Sequence, residues 1–574
     1  MIEKLLFIEK SRSFFNCSFV FFYTNNKMKA KIGVKIQILL LGLFSVSCVA
    51  TTITTPISKI TTHGIIPLPK SLDLPDGNIV LNQNFVVVPS SVFSISNQAV
   101  QNVFSNTLNA FQTSTSSISG KINFRLIQDN TLKHEAYSIL INSDGILLKA
   151  GDDAGAYYAV QSLKQYLWSI SGGVKQASLD LHFLTITDEP KYSWRSFHLD
   201  VSRHMFTKAY LMKIIDWLAY YKYNKFHLHL TDDQGWRIES KAFPLLNSVG
   251  SWRNLDSNDS IWSSGSGDTN YAINPQFLKK VNGRTIYGGY YTQDDITEIV
   301  AYAKNHFIEI IPEIDVPGHM TAAIEAYPEL SCNGATGMNG SYSYPICPCS
   351  QNVYDFVYQI WDEVTPLFPS KYVHIGADEV VKTAWGTSPD CKNFMNSNGI
   401  KDTTALQSFF VKSLQTHLEE KGKTVVAWDD VSVEPNTGST LNFDSKLKIM
   451  YWRNWITNAP AVAAANGNDI IYTNWDMFYL SSENSQTQLL KLLEYDITTA
   501  YPMDVSSKVI GFQGCVWTER IPSEKVLESL IFPRIQALSE VNWSAFKNLY
   551  SFNTRLEPHK KYLKSLGVNW VDPK

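Results

Sequence analysis

The 574-residue chain is poor in charge and has no strong excess of either sign. Asp, Glu, Lys and Arg make up 18% of the residues, and the formal net charge at pH 7 is −3. Such a chain offers no basic field for nucleic acid and no polybasic patch for a membrane surface. Long apolar runs are scarce as well, because only residues 36–50 come near the length of a membrane helix. Neither nucleic acid nor another strongly charged polymer is therefore indicated as a partner.

The apolar run at residues 36–50 is typical of a secretory signal peptide. Lysines precede the run and small residues close it, so we predict a signal that starts at Met28 and is cleaved after Ala50. Residues 1–27 are either an upstream start or part of a membrane anchor. Residues 1–50 are thus assigned to an N-terminal extension and signal peptide. The predicted destination is the secretory pathway, with the lysosome and the cell exterior as the two alternatives.

Cysteine is also scarce, with seven in the chain and five after the predicted signal. Cys332 and one of the pair Cys347 and Cys349 bracket a loop rich in Gly, Asn and Ser, and we predict that a disulfide closes it. A redox or metal role for the Cys-Pro-Cys segment is the alternative. Cys515 is predicted to be a buried free thiol. Sequons for N-glycosylation fit the same export prediction and lie at Asn258, Asn339 and Asn542.

The hydrophobic pattern divides the remaining chain into two parts. Residues 51–190 mix short strand-like runs with a helical segment, which predicts a small α+β domain. In residues 191–574, eight strand-like runs take turns with helical segments, which predicts a parallel (β/α)8 TIM barrel. Nearly every run ends in Asp, Glu, His, Trp or Asn, at the rim where such barrels hold their active sites. The runs are RSFHLDV, KFHLHLT, FIEIIPEID, KYVHIGADE, TVVAWDD, LKIMYWR, DIIYTNW and VIGFQGCVW.

The segment KYVHIGADE, residues 371–379, places Asp378 and Glu379 side by side at the end of a short strand. Two adjacent carboxylates resist ionising together, so one holds its proton near neutral pH and can act as a general acid. The alternative is a pair of acids that only cap the next helix. Asp315 and His319 follow the third strand, where a carboxylate can orient an imidazole toward the catalytic acid.

Two arginines and an aspartate flank the first barrel strand. Arg195 begins it, while Asp200 and Arg203 follow at its end. An arginine in such a place either holds carboxylates together in the core or forks onto two sugar hydroxyls.

His227 and His229 form an HLH pattern whose side chains share one face of the second strand. This spacing also occurs in metal-dependent barrel hydrolases, so zinc is the alternative to acid chemistry. Later strand ends add only His374, and its neighbours fit acid chemistry better, so we predict no metal and no cofactor. Indoles near strand ends suit the apolar faces of sugar rings and predict a carbohydrate pocket. They are Trp385, Trp428, Trp475 and Trp517.

Six motifs in this order resemble the β-N-acetylhexosaminidases of glycoside hydrolase family 20, over roughly residues 64–560. They are WRSFHLDVSRH, FHLHLTDDQGWRIE, IPEIDVPGH, HIGADE, VVAWDD and GCVWTE. The resemblance implies exo-acting removal of terminal β-linked N-acetylglucosamine or N-acetylgalactosamine from glycoconjugates or chitin oligomers, with retention of configuration. It also implies substrate assistance, in which the 2-acetamido oxygen and not a protein carboxylate attacks the anomeric carbon and forms an oxazolinium ion.

The resemblance further implies a role for each matching residue. Glu379 is the general acid and later the base, and Asp378 accepts the acetamido N–H. Tyr479 holds the acetamido oxygen, and His319, backed by Asp315 or Asp200, tunes Glu379. The substrate-binding residues implied in this way are Arg195, Asp200, Trp385, Trp428, Trp517 and Glu519.

Three departures from the family pattern bear on substrate preference and not on the type of reaction. Ala377 stands where glycine is usual, and we expect an ordinary backbone angle there. Ser196 replaces another common glycine, and Asp429 with Asp430 is expected to alter contacts beyond the terminal sugar. The competing hypotheses are a metal-dependent hydrolase and an inactive chitin-binding lectin. The oligomeric state stays open, with a homodimer as one alternative.

Overall fold

The computed structural model describes residues 63–334, 344–434, 438–482 and 484–574. The predicted signal peptide, the start of the predicted small domain and the sequon at Asn339 lie outside the described residues. Within these ranges no helix is both long and apolar enough to cross a membrane.

The first part of the described chain forms an α+β domain. Its strands are β1 (Ser71–Asp73), β2 (Asn78–Leu81), β3 (Val86–Val88), β4 (Gln112–Thr113), β5 (Asn123–Gln128), β6 (Tyr137–Asn142), β7 (Gly145–Ala150), β8 (Leu179–His182) and β9 (Leu184–Asp188), and its helices are α1 (Ser94–Thr107) and α2 (Asp153–Ser171). Seven strands form one sheet in the order β1-β9-β6-β7-β5-β3-β4, and β2 pairs with β8. β6 buries every second side chain, and α2 packs against β6, β7 and α1 to cover that face.

A closed barrel follows. The strands of this part are β10 (Trp194–Asp200), β11 (Lys225–His229), β12 (Thr231–Asp232), β13 (Gly235–Trp236), β14 (Trp252–Asn254), β15 (Leu278–Val281), β16 (Arg284–Gly288), β17 (Glu309–Glu313), β18 (Tyr372–His374), β19 (Thr424–Trp428), β20 (Lys448–Tyr451), β21 (Ile470–Tyr472) and β22 (Val509–Val516). The barrel consists of β10, β11 and β17 to β22 in chain order, and β22 closes it by pairing with β10 in parallel. Each of the eight strand-like runs of the sequence forms one barrel strand. The predicted TIM barrel behind a small α+β domain is confirmed.

In the described residues α-helices lie between successive barrel strands except between β19 and β20, which a 3₁₀ turn and a loop connect. The short strands β12 to β16 lie in the connection that follows β11. The helices are α3 (Lys208–Tyr220), α4 (Ser257–Ser264), α5 (Gln293–Lys304), α6 (Thr321–Ala326), α7 (Gln351–Val364), α8 (Thr383–Thr387), α9 (Pro389–Ser397), α10 (Thr403–Glu420), α11 (Ala459–Ala465), α12 (Trp475–Phe478), α13 (Gln486–Glu494), α14 (Ile497–Ala500), α15 (Met503–Ser506), α16 (Glu524–Ile531), α17 (Arg534–Trp543) and α18 (Leu549–Ser565). β10 is buried at every residue, as expected for a parallel strand covered on both faces.

Two buried ion pairs join the domains near the amino ends of the barrel strands. Arg195 Nη2 lies 2.7 Å from Glu135 Oε1, and Lys222 Nζ lies 3.2 Å from Asp188 Oδ2. All four side chains are almost completely withdrawn from solvent. Loss of one partner would leave a buried charge uncompensated, so these pairs fix how the small domain sits on the barrel.

Two disulfides brace the opposite, carboxyl end of the barrel. Cys332 pairs with Cys347, which confirms the predicted loop closure, and Cys349 pairs with Cys391, which the sequence did not predict. The first closes a loop within the connection after β17, and the second ties that connection to the one after β18. Cys515 is free and buried, as predicted.

Candidate active site

A cavity of about 540 Å³ opens at the carboxyl ends of the barrel strands. Each of the eight strands contributes at least one side chain to it, from its last residue or from the connection that follows it. The lining residues are Arg203, Asp232, His319, Asp378, Glu379, Trp428, Trp452, Trp475, Asp476, Tyr479, Ser481, Ser482, Gln488, Trp517 and Glu519. This is the end of the barrel at which the sequence placed the site.

Left-handed backbone angles in the turn after β18 set the directions of the Asp378 and Glu379 side chains. Gly376, Ala377 and Glu379 have φ values of 66°, 72° and 48°. A Cβ on Gly376 would lie 1.8 Å from Asp315 Oδ1, so only glycine fits there. Ala377 donates its N–H to the same oxygen over 3.2 Å, and its carbonyl accepts from Gln407 over 2.9 Å. The expectation of an ordinary angle at Ala377 is wrong, because these bonds hold it in the left-handed region.

His319 links two groups of carboxylates. Its Nδ1 lies 3.0 Å from Asp232 Oδ1, and its Nε2 lies 3.5 Å from Glu379 Oε2 and 3.7 Å from Asp378 Oδ2. Burial by itself lowers the pKa of His319, but the charge of Asp232 together with hydrogen bonds to Asp232, Asp233 and Glu379 outweighs it and holds that pKa well above the usual value. A positively charged imidazole therefore stands behind the acid pair. Asp232, and not Asp315 or Asp200, is the carboxylate that orients it.

The two acids have unequal environments. Asp378 is buried, whereas the Glu379 side chain is 34% exposed at the cavity mouth. Burial, opposed by His319 and reinforced by the charges of Asp430 and Glu379, raises the pKa of Asp378 to about 8. The predicted pair that holds a proton at neutral pH is therefore present. Of the two carboxyl groups, Asp378 is the one that holds the proton, because it is the buried one.

Three indoles and one phenol form the apolar walls. Trp428 donates its Nε1–H to Glu313 over 2.9 Å, and Trp452 donates its own to Asp430 over 2.8 Å, which fixes both rings. The ring of Tyr479 lies parallel to that of Trp452, with 6.3 Å between the centroids, and 6.1 Å from that of Trp517. Such a narrow, rigid aromatic space suits a small planar group and the apolar face of a sugar.

Arg203 supplies the polar wall. Its guanidinium lies 2.7 Å from Asp232 Oδ2, 3.1 Å from Asp200 Oδ2 and 3.4 Å from Glu519 Oε1, and it stacks on the Trp517 ring at 5.3 Å. Three carboxylates and an indole thus hold a planar fork at the cavity edge. A fork held in this way recognises vicinal hydroxyls with little loss of entropy.

The histidines of the HLH pattern lie beneath the cavity floor. His227 Nε2 and His229 Nδ1 lie 3.0 and 2.6 Å from Glu313 Oε2. His198, His227 and Glu313 have ligand atoms within 4.8 Å of one another, a spacing that a metal ion could also use. All three are completely buried and none lines the cavity, so an ion bound there would have no open coordination position facing a substrate.

Comparison with protein families matches both domains of the chain. The catalytic domain of glycosyl hydrolase family 20 matches residues 192–546, and domain 2 of the same family matches residues 62–189.

The chain belongs to glycosyl hydrolase family 20.

Related proteins agree with this assignment to family 20. A "Beta-hexosaminidase" of Porphyromonas gingivalis is 32% identical over 77% of the chain, which spans 55% of that protein. One from Vibrio furnissii is 29% identical over 84% of the chain and 77% of its own length. A family 20 exo β-N-acetylglucosaminidase from Vibrio harveyi, solved with N-acetylglucosamine, is 27% identical with a TM-score of 0.73, covering 89% of this chain and 79% of that one. The predicted family and its glycosidase class are confirmed.

Seven of the ten residues predicted for catalysis or substrate binding line the cavity. They are Glu379, Asp378, Tyr479, His319, Trp428, Trp517 and Glu519. Their individual roles in catalysis stay predictions.

Three of the predicted substrate-binding residues lie elsewhere. Arg195 is buried at the amino end of β10 in the ion pair with Glu135, so it cannot reach a sugar in the cavity. Asp200 is buried beneath the cavity, where it accepts from Arg203 and Thr518. Trp385 is completely buried, and its indole N–H donates to the Ile346 carbonyl.

Arg203, Asp232 and Trp452 take the places that the sequence had given to other residues. Each of them directly follows a barrel strand or lies within three residues of its end, and this position was a signal that favoured them. The expectation for Asp429 is also wrong, because its carboxylate is buried 2.8 Å from Arg453 Nε and does not line the cavity.

Two of the sequons lie in described residues and have opposite surroundings. Asn258 is exposed on α4. Asn542 is completely buried, where its amide accepts from the Phe512 N–H and donates to the Phe512 carbonyl. Glycosylation of Asn542 is therefore incompatible with the fold.

Proposed function

We propose that the protein is an exo-acting β-N-acetylhexosaminidase that releases terminal β-linked N-acetylglucosamine or N-acetylgalactosamine with retention of configuration. The observation that carries this proposal is the pairing of a buried Asp378 with a half-open Glu379 over a cavity walled by three indoles. A cavity of about 540 Å³ has room for one N-acetylated sugar and part of its leaving group.

The acetamido group of the substrate is the nucleophile. Tyr479 donates to its carbonyl oxygen and Asp378 accepts its N–H, so the flexible group is held in the attacking pose. The carbonyl oxygen forms a bond to the anomeric carbon as the bond to the leaving oxygen breaks, and Glu379 protonates that oxygen. Water then opens the oxazolinium ion, with Glu379 taking its proton, and the sugar leaves with its original configuration.

One shared proton serves the acid pair in this scheme. Before the substrate binds, burial keeps the proton on Asp378, with a pKa of about 8. An acetamido N–H that donates to Asp378 favours its ionised form, so binding of the substrate releases the proton. The released proton passes to the adjacent carboxylate of Glu379, which then donates it to the leaving oxygen. The charged His319 beside both acids compensates the second negative charge as it develops.

The exo mode follows from the polar wall. Arg203 and Glu519 lie in contact at the edge of the cavity and are suited to the hydroxyls of a terminal, unsubstituted sugar. A chain extended beyond those hydroxyls would have to displace this ion pair.

Action in the secretory pathway fits the two disulfides, because such bonds persist in oxidising compartments. The exposed Asn258 is the sequon available for a glycan among the described residues.

The activity is tested with a matched pair of aryl β-glycosides that differ only in the 2-acetamido group. We expect turnover of the N-acetyl-β-glucosaminide and no measurable turnover of the β-glucoside. The same enzyme should be inhibited by an analogue of the oxazoline. Equal turnover of both glycosides would refute substrate assistance, and a chelator that abolishes activity would favour the metal alternative.

A further inference from the structure

We propose that Trp455 and Trp475 form a platform for the sugar ring of the leaving group, so that the preferred substrates are oligosaccharides. This deepens the hexosaminidase activity proposed above and rests on it. The relevant residues lie outside the set predicted from the family resemblance to bind the terminal sugar.

The two indoles are unusually open to solvent. Trp455 is 53% exposed and Trp475 is 54% exposed, and no other tryptophan in the described ranges is among the exposed large apolar residues. Their rings meet edge to face, with 6.2 Å between centroids and 82° between planes. Because an exposed indole leaves a large apolar area in water, two in contact at a cavity mouth indicate a binding surface.

The position of the indoles is fixed by the walls of the cavity. Trp455 packs edge-on against Trp452, with 5.0 Å between ring centroids. The backbone N–H of Trp475 donates to the backbone carbonyl of Trp452 over 2.8 Å. Trp452 is itself held by its indole bond to Asp430. The platform therefore needs no rearrangement before a ligand can stack on it.

The platform is connected to the proton donor. Asp430 accepts the Glu379 backbone N–H over 3.3 Å with one oxygen and the Trp452 indole N–H with the other. Glu379, Asp430, Trp452 and Trp455 thus form one continuous series of contacts that leads from the acid to the cavity rim. The leaving oxygen must lie beside Glu379, so the group attached to it emerges near this rim.

A sugar ring is the leaving group that this surface fits. The C–H faces of pyranose rings stack on indoles, while their hydroxyls stay in water or reach polar neighbours. Asp476, exposed beside Trp475 at the cavity edge, supplies one such acceptor. A methyl or other small aglycone would leave both indoles uncovered.

The test compares two substrates whose leaving groups have similar chemical demands. Both N,N′-diacetylchitobiose and the methyl β-glycoside of N-acetylglucosamine release an alcohol, so both need protonation by Glu379. Only the disaccharide has a ring to stack. For Trp455→Ala we expect the ratio of kcat/KM for the disaccharide to that for the methyl glycoside to fall about tenfold, through KM for the disaccharide. Trp475→Ala should lower the same ratio.

Phe546→Ala is the matched control, since Phe546 is 65% exposed and lies outside the cavity. It should leave the ratio at its wild-type value. A ratio unchanged in both tryptophan variants would overturn the platform, as would an equal loss on both substrates. Failure of the hexosaminidase activity itself would appear differently, because the wild-type enzyme would then hydrolyse neither substrate.

Discussion

Replacement of Asp378 by Asn should stabilise the fold near neutral pH, even though it removes a group that the proposed reaction needs. Asp378 is 7% exposed, and burial is the main reason that its pKa rises from 3.8 to about 8. When folding raises the pKa of an acid, the folded protein has its full free energy of unfolding only at pH values below the pKa that the same group has in the unfolded chain. That free energy then falls as the pH rises from about 4 to about 8.

The size of the effect follows from the two pKa values. Each pH unit between them costs about 1.4 kcal/mol. At pH 6 the aspartate therefore lowers the free energy of unfolding by about 3 kcal/mol relative to a side chain that cannot ionise, with a ceiling of about 6 kcal/mol at pH 8. A folded chain of roughly 500 residues unfolds with an entropy near 1 kcal/mol per kelvin, so about 3 kcal/mol corresponds to a rise in Tm of about 3 °C.

Thermal unfolding of wild type and Asp378→Asn at pH 4, 6 and 8 measures this effect. We expect Tm values within about 1 °C of each other at pH 4 and a growing advantage for the variant at pH 6 and 8. Asp476→Asn is the control, because Asp476 is exposed at the rim of the same cavity and its replacement should change Tm little at any pH. The same advantage at pH 4 and pH 8, or a variant less stable than wild type at pH 8, would refute burial as the cause of the raised pKa.

Four further predictions concern the acid, the two arginines and the sequons. Glu379→Gln should lower kcat on oligosaccharides by at least ~10²-fold and much less on an aryl glycoside whose leaving group needs no proton, as measured by steady-state kinetics. Arg203→Lys should raise KM about tenfold at nearly unchanged Tm, because a point charge replaces a planar fork. Arg195→Met should instead lower stability by about 3–5 kcal/mol and leave KM of the folded fraction unchanged, because Glu135 is left buried without its partner. Peptide mass spectrometry of the protein expressed through a eukaryotic secretory pathway should find a glycan on Asn258 and none on Asn542, and a modified Asn542 would contradict the buried contacts described here.

The barrel could be predicted because its signals are local. Each barrel strand is a short run of apolar and β-branched residues, and each is separated from the next by enough chain for a helix. Alternation of that kind leaves few folds that cover both faces of every strand. The convergence of Asp378, Glu379 and His319 was predictable for the same reason, since all three follow barrel strands and must meet at one rim.

The assignment to Arg195 failed although a physical rule already argued against it. Arg195 is the second residue of β10, and Arg203 lies eight residues later, beyond the end of that strand. At about 3.3 Å per residue, the strand from Arg195 to its last residue alone spans roughly 16 Å along the barrel. Only Arg203 lies at the carboxyl end, where barrel sites form. The position of Arg195 at the amino end of β10 is therefore stronger evidence about its role than its match to the family motif.

Burial of individual side chains was harder to predict because it depends on contacts distant in sequence. The sequon at Asn542 has no local mark of burial, and its amide is engaged by Phe512 on β22. Trp452 directly follows β20 and faces the cavity, whereas Trp385 lies far along the connection after β18 and is enclosed under the segment that contains Ile346. Which of two such indoles reaches the site is decided by how the long connections pack.

Ala377 is the position where local and tertiary preferences conflict most directly. A left-handed alanine costs about 1–2 kcal/mol relative to its ordinary conformation, and only the glycine usual at this position in the family indicates such an angle. The two hydrogen bonds that hold it, from its N–H to Asp315 and to its carbonyl from Gln407, each contribute about 1 kcal/mol and would be lost in an ordinary turn. The groups on both sides are buried, so leaving them unpaired would cost still more. The strained angle is therefore the lower-energy choice, and it leaves Asp378 buried and Glu379 open, the inequality on which the proposed proton transfer depends.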